Sequence, residues 1–148
     1  MENLEKIKVR APELHALSTP LSARQMVLLV GNDESLRYSR RLLLERVGLG
    51  VLSLDSSQAL PGMAFTCNLA LLCRSVLFAE ADRIAHALHV VQAAMPVLRF
   101  ASDGEASSQD FTSVLMYGVS PQVLLDEVKR LLHPGTPRPF RLSREANA

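Results

Sequence analysis

The sequence predicts an α/β fold, a three-layer, doubly wound sandwich built around a five-stranded parallel sheet. Three observations carry that expectation. Short unbroken apolar runs such as Met26 to Val30 (MVLLV) and Leu69 to Cys73 (LALLC) read as strands covered on both faces. They alternate with longer segments whose apolar residues recur at helical spacing. Glycine, proline and small polar residues stand at the junctions, where caps and turns need them. Strands joined through helical crossovers run the same way, so the sheet is parallel.

Taken in order, Met26 to Val30 is the first strand and ends at Gly31. Asp33 and Ser35 offer N-caps to a helix in which Leu36, Leu43 and Val47 share a face, and Gly48 stops it as a helix-ending glycine does. Gly50 to Leu54 is the second strand. Asp55, Ser56 and Ser57 then cap a brief helix that Pro61 and Gly62 cut short. Leu69 to Cys73 is the central strand. From Phe78 to Ala94, Ile84, Leu88 and Val91 form the inner stripe of a helix, with Glu80, Asp82 and Arg83 toward solvent. Pro96 to Phe100 and Thr112 to Met116 are the fourth and fifth strands. The stretch between them, Ala101 to Asp110, is polar and contains a glycine, so it is too poor in apolar residues for a helix. Ser120 caps the closing helix, Pro121 takes its first position, and Leu124, Leu125, Val128, Leu131 and Leu132 make its face.

The 148 residues suffice for one domain with a continuous core. Its expected extent is 26–132, with an N-terminal extension over 1–25, including a short helix around Ala11 to Leu17, and a Pro- and Arg-rich tail over 133–148. Sixteen basic against 15 acidic residues leave a formal charge of +1, so no net field draws the chain to nucleic acid or an anionic membrane. The longest nearly uncharged stretch, Ser53 to Leu72, is broken by Asp55, Pro61 and Gly62, which argues against a transmembrane span. With no export signal read in the sequence and only Cys67 and Cys73, the expectation is a cytoplasmic protein with reduced thiols.

The order and spacing of these pieces resemble a response-regulator receiver domain of the CheY-like family. Val27 to Leu44 (VLLVGNDESLRYSRRLLL) is similar to that family's opening strand and helix, and Asn68 to Cys73 (NLALLC) to the strand that ends on the phosphoacceptor. Pro96 to Ser102 (PVLRFAS) resembles the strand ending on a hydroxyl residue, and Ser120 to Leu125 (SPQVLL) the start of the last helix. The resemblance implies receiver, or flavodoxin-like, topology with the fourth helix short or missing.

It also implies a degenerate pseudo-receiver. The acidic pair that holds magnesium in the family falls on Gly31 and Asn32, and a hard dication that prefers anionic oxygen loses most of its site there. Asp33 and Glu34 lie just beyond, where Asp33 serves better as a helix cap. The phosphoacceptor matches Cys73, whose thiol cannot form an acyl phosphate. The hydroxyl position matches Ala101, with Ser102 one residue away. The lysine position matches Tyr117, followed by Gly118 where the family has proline, and the aromatic switch position matches Val114. No catalytic residue, metal site or cofactor site is expected.

Other signals read as ordinary structure. His86 and His89 lie three apart on a helix, but with no carboxylate or thiolate at matching spacing they read as rim histidines rather than a metal pair. Gly31 to Ser35 (GNDES) lacks both phosphate-loop patterns, and no G-x-S-x-G elbow occurs. Cys67 and Cys73 are spaced unfavourably for a disulfide.

The expected function is a non-enzymatic, phosphorylation-independent signalling module that acts through a protein partner or by self-association as a homodimer. Its expected surfaces are the altered face around 102–117 and the first helix, whose Arg37, Arg40 and Arg41 are expected to be exposed and to suit an acidic partner. The alternative is a small-ligand or thiol-redox sensor that uses the vacated pocket near Gly31, Asn32, Cys73, Ala101 and Tyr117.

Overall fold

In the computed structural model, residues 24–58, 66–116 and 118–133 are described. They form β1 (Met26–Val30), α1 (Glu34–Arg46), β2 (Gly50–Leu54), β3 (Leu69–Leu72), α2 (Phe78–Val91), β4 (Val97–Ala101), β5 (Ser113–Met116) and α3 (Pro121–Leu132). The five strands make one parallel sheet in the order β2-β1-β3-β4-β5. β1, β3 and β4, the inner strands, are almost wholly buried, as their unbroken apolar runs require.

Alternation along the strands divides the core in two. On one face Leu28, Val30, Ala70, Leu72 and Val97 pack with Ala81, Ile84, Ala85 and Leu88 of α2. On the other, Val27, Leu29, Leu69, Leu71, Leu98 and Phe100 pack with Leu44 of α1 and with Leu124, Leu125, Val128 and Leu131 of α3. These are the three expected layers. The chain runs from β1 outward to β2 and then back across β1 to β3, so the order reverses between β1 and β3. A crevice forms outside their carboxyl ends, the place where open parallel sheets put their sites.

The helix ends follow local chemistry. Asp33 accepts from the Leu36 amide at 3.1 Å and caps α1, while Ser120 accepts from the Val123 amide at 3.3 Å and caps α3 with Pro121 behind it. At the end of α1, Gly48 takes φ +93°, with its amide on the Glu45 carbonyl and the Leu49 amide on that of Leu44. That is the double bond of a Schellman turn.

Several expectations need correction. The inner face of α1 is centred on Leu44, with Leu43 half-buried, and not on Leu36, Leu43 and Val47. Val47 is the C-cap and has left helical geometry, and Leu36 stands in the first turn, so both are exposed. α2 ends at Val91 instead of Ala94, because Gln92 is already extended and the chain turns into Pro96. β3 stops at Leu72, and β4 and β5 each start one residue later than expected. Between β4 and β5 the described residues contain no helix, in agreement with the polar reading of that stretch. The expected N-terminal helix, most of the brief helix after Asp55, and the tail from 134 onward lie outside the described residues.

Candidate functional site

Gly31 follows β1 and Cys73 follows β3, and the parallel pairing of these neighbours brings the two residues side by side. A Cβ added to Gly31 would stand 3.1 Å from Cys73 Sγ and 3.2 Å from its Cβ. Any side chain here would press on the Cys73 thiol, so glycine suits the close approach of the two residues. Cys73 is only 2% exposed. Burial pushes its thiol above the ordinary range, against the opposing pull of Arg40, Arg99 and Arg37.

Asn32 ties three loops together. Its amide donates to Ser75 Oγ at 2.7 Å, and its Oδ1 accepts from the Ser56 amide at 2.8 Å. Ser75 Oγ also accepts from the Asp33 amide at 3.2 Å. Asp33 itself is committed to capping α1. The crevice is thus closed by backbone amides and neutral oxygens, and it gathers no group of three or more His, Cys, Asp or Glu side chains suited to a metal among the described residues.

The remaining candidate positions are not all in the crevice. Ala101 is the last residue of β4 and is buried, while Ser102 lies in the following loop. Val114 stands on β5 opposite Arg99 and is exposed, as is Met116 opposite Ala101. Tyr117 lies outside the described residues.

Arg37, Arg40 and Arg41 of α1 are half-buried, not exposed as expected. Arg37 Nη1 donates to the Gly31 carbonyl at 2.6 Å, the Arg40 guanidinium lies 4.4 Å above the Phe100 ring, and that of Arg41 lies 5.2 Å from the Tyr38 ring. Their long stems pack while the charged ends find partners close by.

Sequence reasoning missed Arg99. It is 1% exposed, in the middle of the apolar run of β4. Its Nε donates to Glu105 Oε2 at 2.9 Å and its Nη2 to Glu105 Oε1 at 2.7 Å, while Nη1 donates to the Cys73 carbonyl at 2.7 Å. This bidentate pair holds the Glu105 carboxyl below the usual range and fastens the 102–112 loop to the strand ends. A lone arginine inside an apolar strand was the available signal, since such a charge must find a partner. Glu127 is a second case. It is buried on α3, accepts from Ser113 Oγ at 2.5 Å and pairs with Arg130.

The same architecture recurs in solved structures. A CheY-like receiver domain protein from Methanospirillum hungatei JF-1 is similar over 76% of this chain and 96% of its own, with 21% identity and a TM-score of 0.64. A receiver domain protein from Clostridium thermocellum matches 75% of this chain and 96% of its own, at 15% identity and a TM-score of 0.66. The signal receiver domain of an HD domain-containing protein from Pseudomonas fluorescens Pf-5 does so over 75% and 96%, at 15% identity and a TM-score of 0.64.

The fold is that of a response-regulator receiver domain. No family model and no curated protein matches the sequence. Within this receiver fold the crevice occupies the carboxyl ends of β1 and β3, and the 102–112 loop takes the place of a helix between β4 and β5. No helix among the described residues is long and apolar enough to cross a membrane.

Proposed function

We propose that this chain is a phosphorylation-independent receiver-like module of two-component type, non-enzymatic, that works by binding a protein partner or a second copy of itself. The observation that carries this reading is the contact of Gly31 with Cys73. Where a receiver would need carboxylates for a metal and an acyl phosphate, a glycine packs against a buried thiol. Asn32 and Asp33 are held by structural hydrogen bonds, so neither supplies the missing acid. The same reading places the chain in the cytoplasm, with neither nucleic acid nor a membrane as its target.

Burial of Cys73 weighs against the alternative of a thiol sensor, because reactive thiols are accessible and have a lowered pKa. The test is intact mass and magnesium titration after incubation with acetyl phosphate, beside an Asn32→Asp, Cys73→Asp variant that keeps Gly31. The natural chain is expected to gain neither phosphate nor magnesium affinity. A stable phosphoryl adduct on the natural chain would overturn the proposal.

A further inference from the structure

The loop that stands in place of a helix is fastened to α2 through a histidine set between two hydrogen-bond acceptors. His89 Nδ1 lies 2.9 Å from Asp110 Oδ1, and its Nε2 lies 2.8 Å from the Met95 carbonyl oxygen. A carboxylate and a carbonyl only accept, so both bonds exist together only when both ring nitrogens carry hydrogen. A neutral ring turns a lone pair toward one of the two oxygens and loses that bond.

We infer that His89 is a proton-dependent clamp: as an imidazolium it bridges Asp110 and the Met95 carbonyl and holds the 107–111 segment on α2, and as a neutral ring it keeps only one of those bonds, which eases release of that segment. The charged groups around it are few. From α2 come His86, whose Nδ1 is 3.4 Å from Asp110 Oδ2, Asp82, which accepts from Ser108 Oγ at 2.5 Å, and Arg83, which pairs with Glu80. From the loop comes Asp110, and the Arg99–Glu105 pair lies at the far end of the same loop. The turn over 92–95 adds no titratable side chain.

The sign follows from these neighbours. His89 and His86 hold the Asp110 carboxyl below the usual range, so it stays ionised down through mildly acidic pH. The contact is complete while Asp110 is ionised and His89 is protonated. It weakens as pH rises and the imidazolium is lost. His86 is 71% exposed on its side chain, so its contact with Asp110 is screened by solvent.

Release has a structural consequence. Phe111 is buried edge-on to Phe78, with ring centroids 6.0 Å apart, and the Arg99 guanidinium lies 6.0 Å from its ring. Opening the segment would bare Phe111 on the side of the sheet where Val114 and Met116 are already exposed, enlarging an apolar face. The device would therefore couple pH to a contact surface, with no phosphoryl group involved.

The experiment is amide hydrogen exchange on the full chain at about pH 6 and about pH 8, corrected for intrinsic rates, with ring-nitrogen NMR of His89. The Phe111 amide, which bonds to the Ser108 carbonyl at 3.2 Å, is expected to lose about tenfold or more in protection at the higher pH, while Leu71 in β3 is unchanged. His89→Gln should remove the pH dependence. The ring spectrum needs no variant and is expected to show both nitrogens protonated at the lower pH. Equal Phe111 protection at the two pH values, or a singly protonated His89 ring at about pH 6, would overturn the inference.

Discussion

The crevice at the ends of β1 and β3 and the loop between β4 and β5 are neighbours, yet opposite physical means hold them together. In the crevice, shape decides: Gly31 lies against Cys73 with little room for even a methyl group, and the turn is finished by amides on Ser75 and Asn32. In the loop, charge decides: Arg99 grips Glu105, His89 grips Asp110, and Ser108 donates to Asp82. The loop has little apolar surface to bury beyond Phe111, so directional bonds replace the packing that a helix would have provided. A receiver fold thus keeps its outline while two neighbouring elements at the same end of the sheet are held by different interactions. They should answer differently to mutation and to pH.

The largest effect is expected from breaking the loop's anchor. Glu105→Ala leaves Arg99 buried and unpaired, which costs about 3 kcal/mol or more in unfolding free energy, read from urea denaturation. Replacing both partners together, Arg99→Met with Glu105→Leu, should recover much of that loss, because no charge is left stranded. The pH arm has a defined sign. Because Arg99 depresses the folded-state pKa of Glu105, the stabilisation is present above the carboxyl's unfolded pKa and is lost as pH falls through the folded value. The natural chain should therefore lose more stability in acid than Glu105→Gln does. Equal acid sensitivity of the two would show that the pair does not carry the loop.

The crevice should respond to volume and hardly to pH. Gly31→Ala places a methyl group against Cys73 Sγ and Cβ and is expected to cost about 1–3 kcal/mol. Adding Cys73→Ala should relieve part of that cost, since it removes the closer of the two atoms; strict additivity of the two changes would deny the contact. The smallest effect lies at the edge of the crevice. Asp33→Ala removes the α1 cap and is expected to lower stability by about 1 kcal/mol, whereas a large gain or loss of magnesium affinity in the same variant would show that Asp33 is a ligand.

How much of this was legible in the sequence depended on whether the deciding interaction was local. The strands, the caps at Asp33 and Ser120, the stop at Gly48 and the missing helix before β5 were all readable, because apolar period, cap chemistry and helix propensity act within a few residues. The closeness of Gly31 and Cys73 came from the family resemblance. Their packing distance did not, since spacing along the chain carries no measure of it. The inner face of α1 was misassigned because all three candidate leucine and valine positions fit a helical stripe, and only docking on β1 and β2 chose Leu44. The half-burial of Arg37, Arg40 and Arg41 has the same origin.

By itself, then, the sequence determined the alternation of strand and helix, the caps that begin α1 and α3, the glycine stop of α1, and the polar character of the segment between β4 and β5. These follow from properties that each short segment carries with it. Only the tertiary structure decided which partners the isolated charges would find: Glu105 for Arg99, Asp110 and the Met95 carbonyl for His89, Ser113 for Glu127. A buried polar group must be satisfied, but the chain offers several partners at comparable distances in sequence. The choice falls to the fold, which brings together residues from different elements and fixes the few angles at which a hydrogen bond can form.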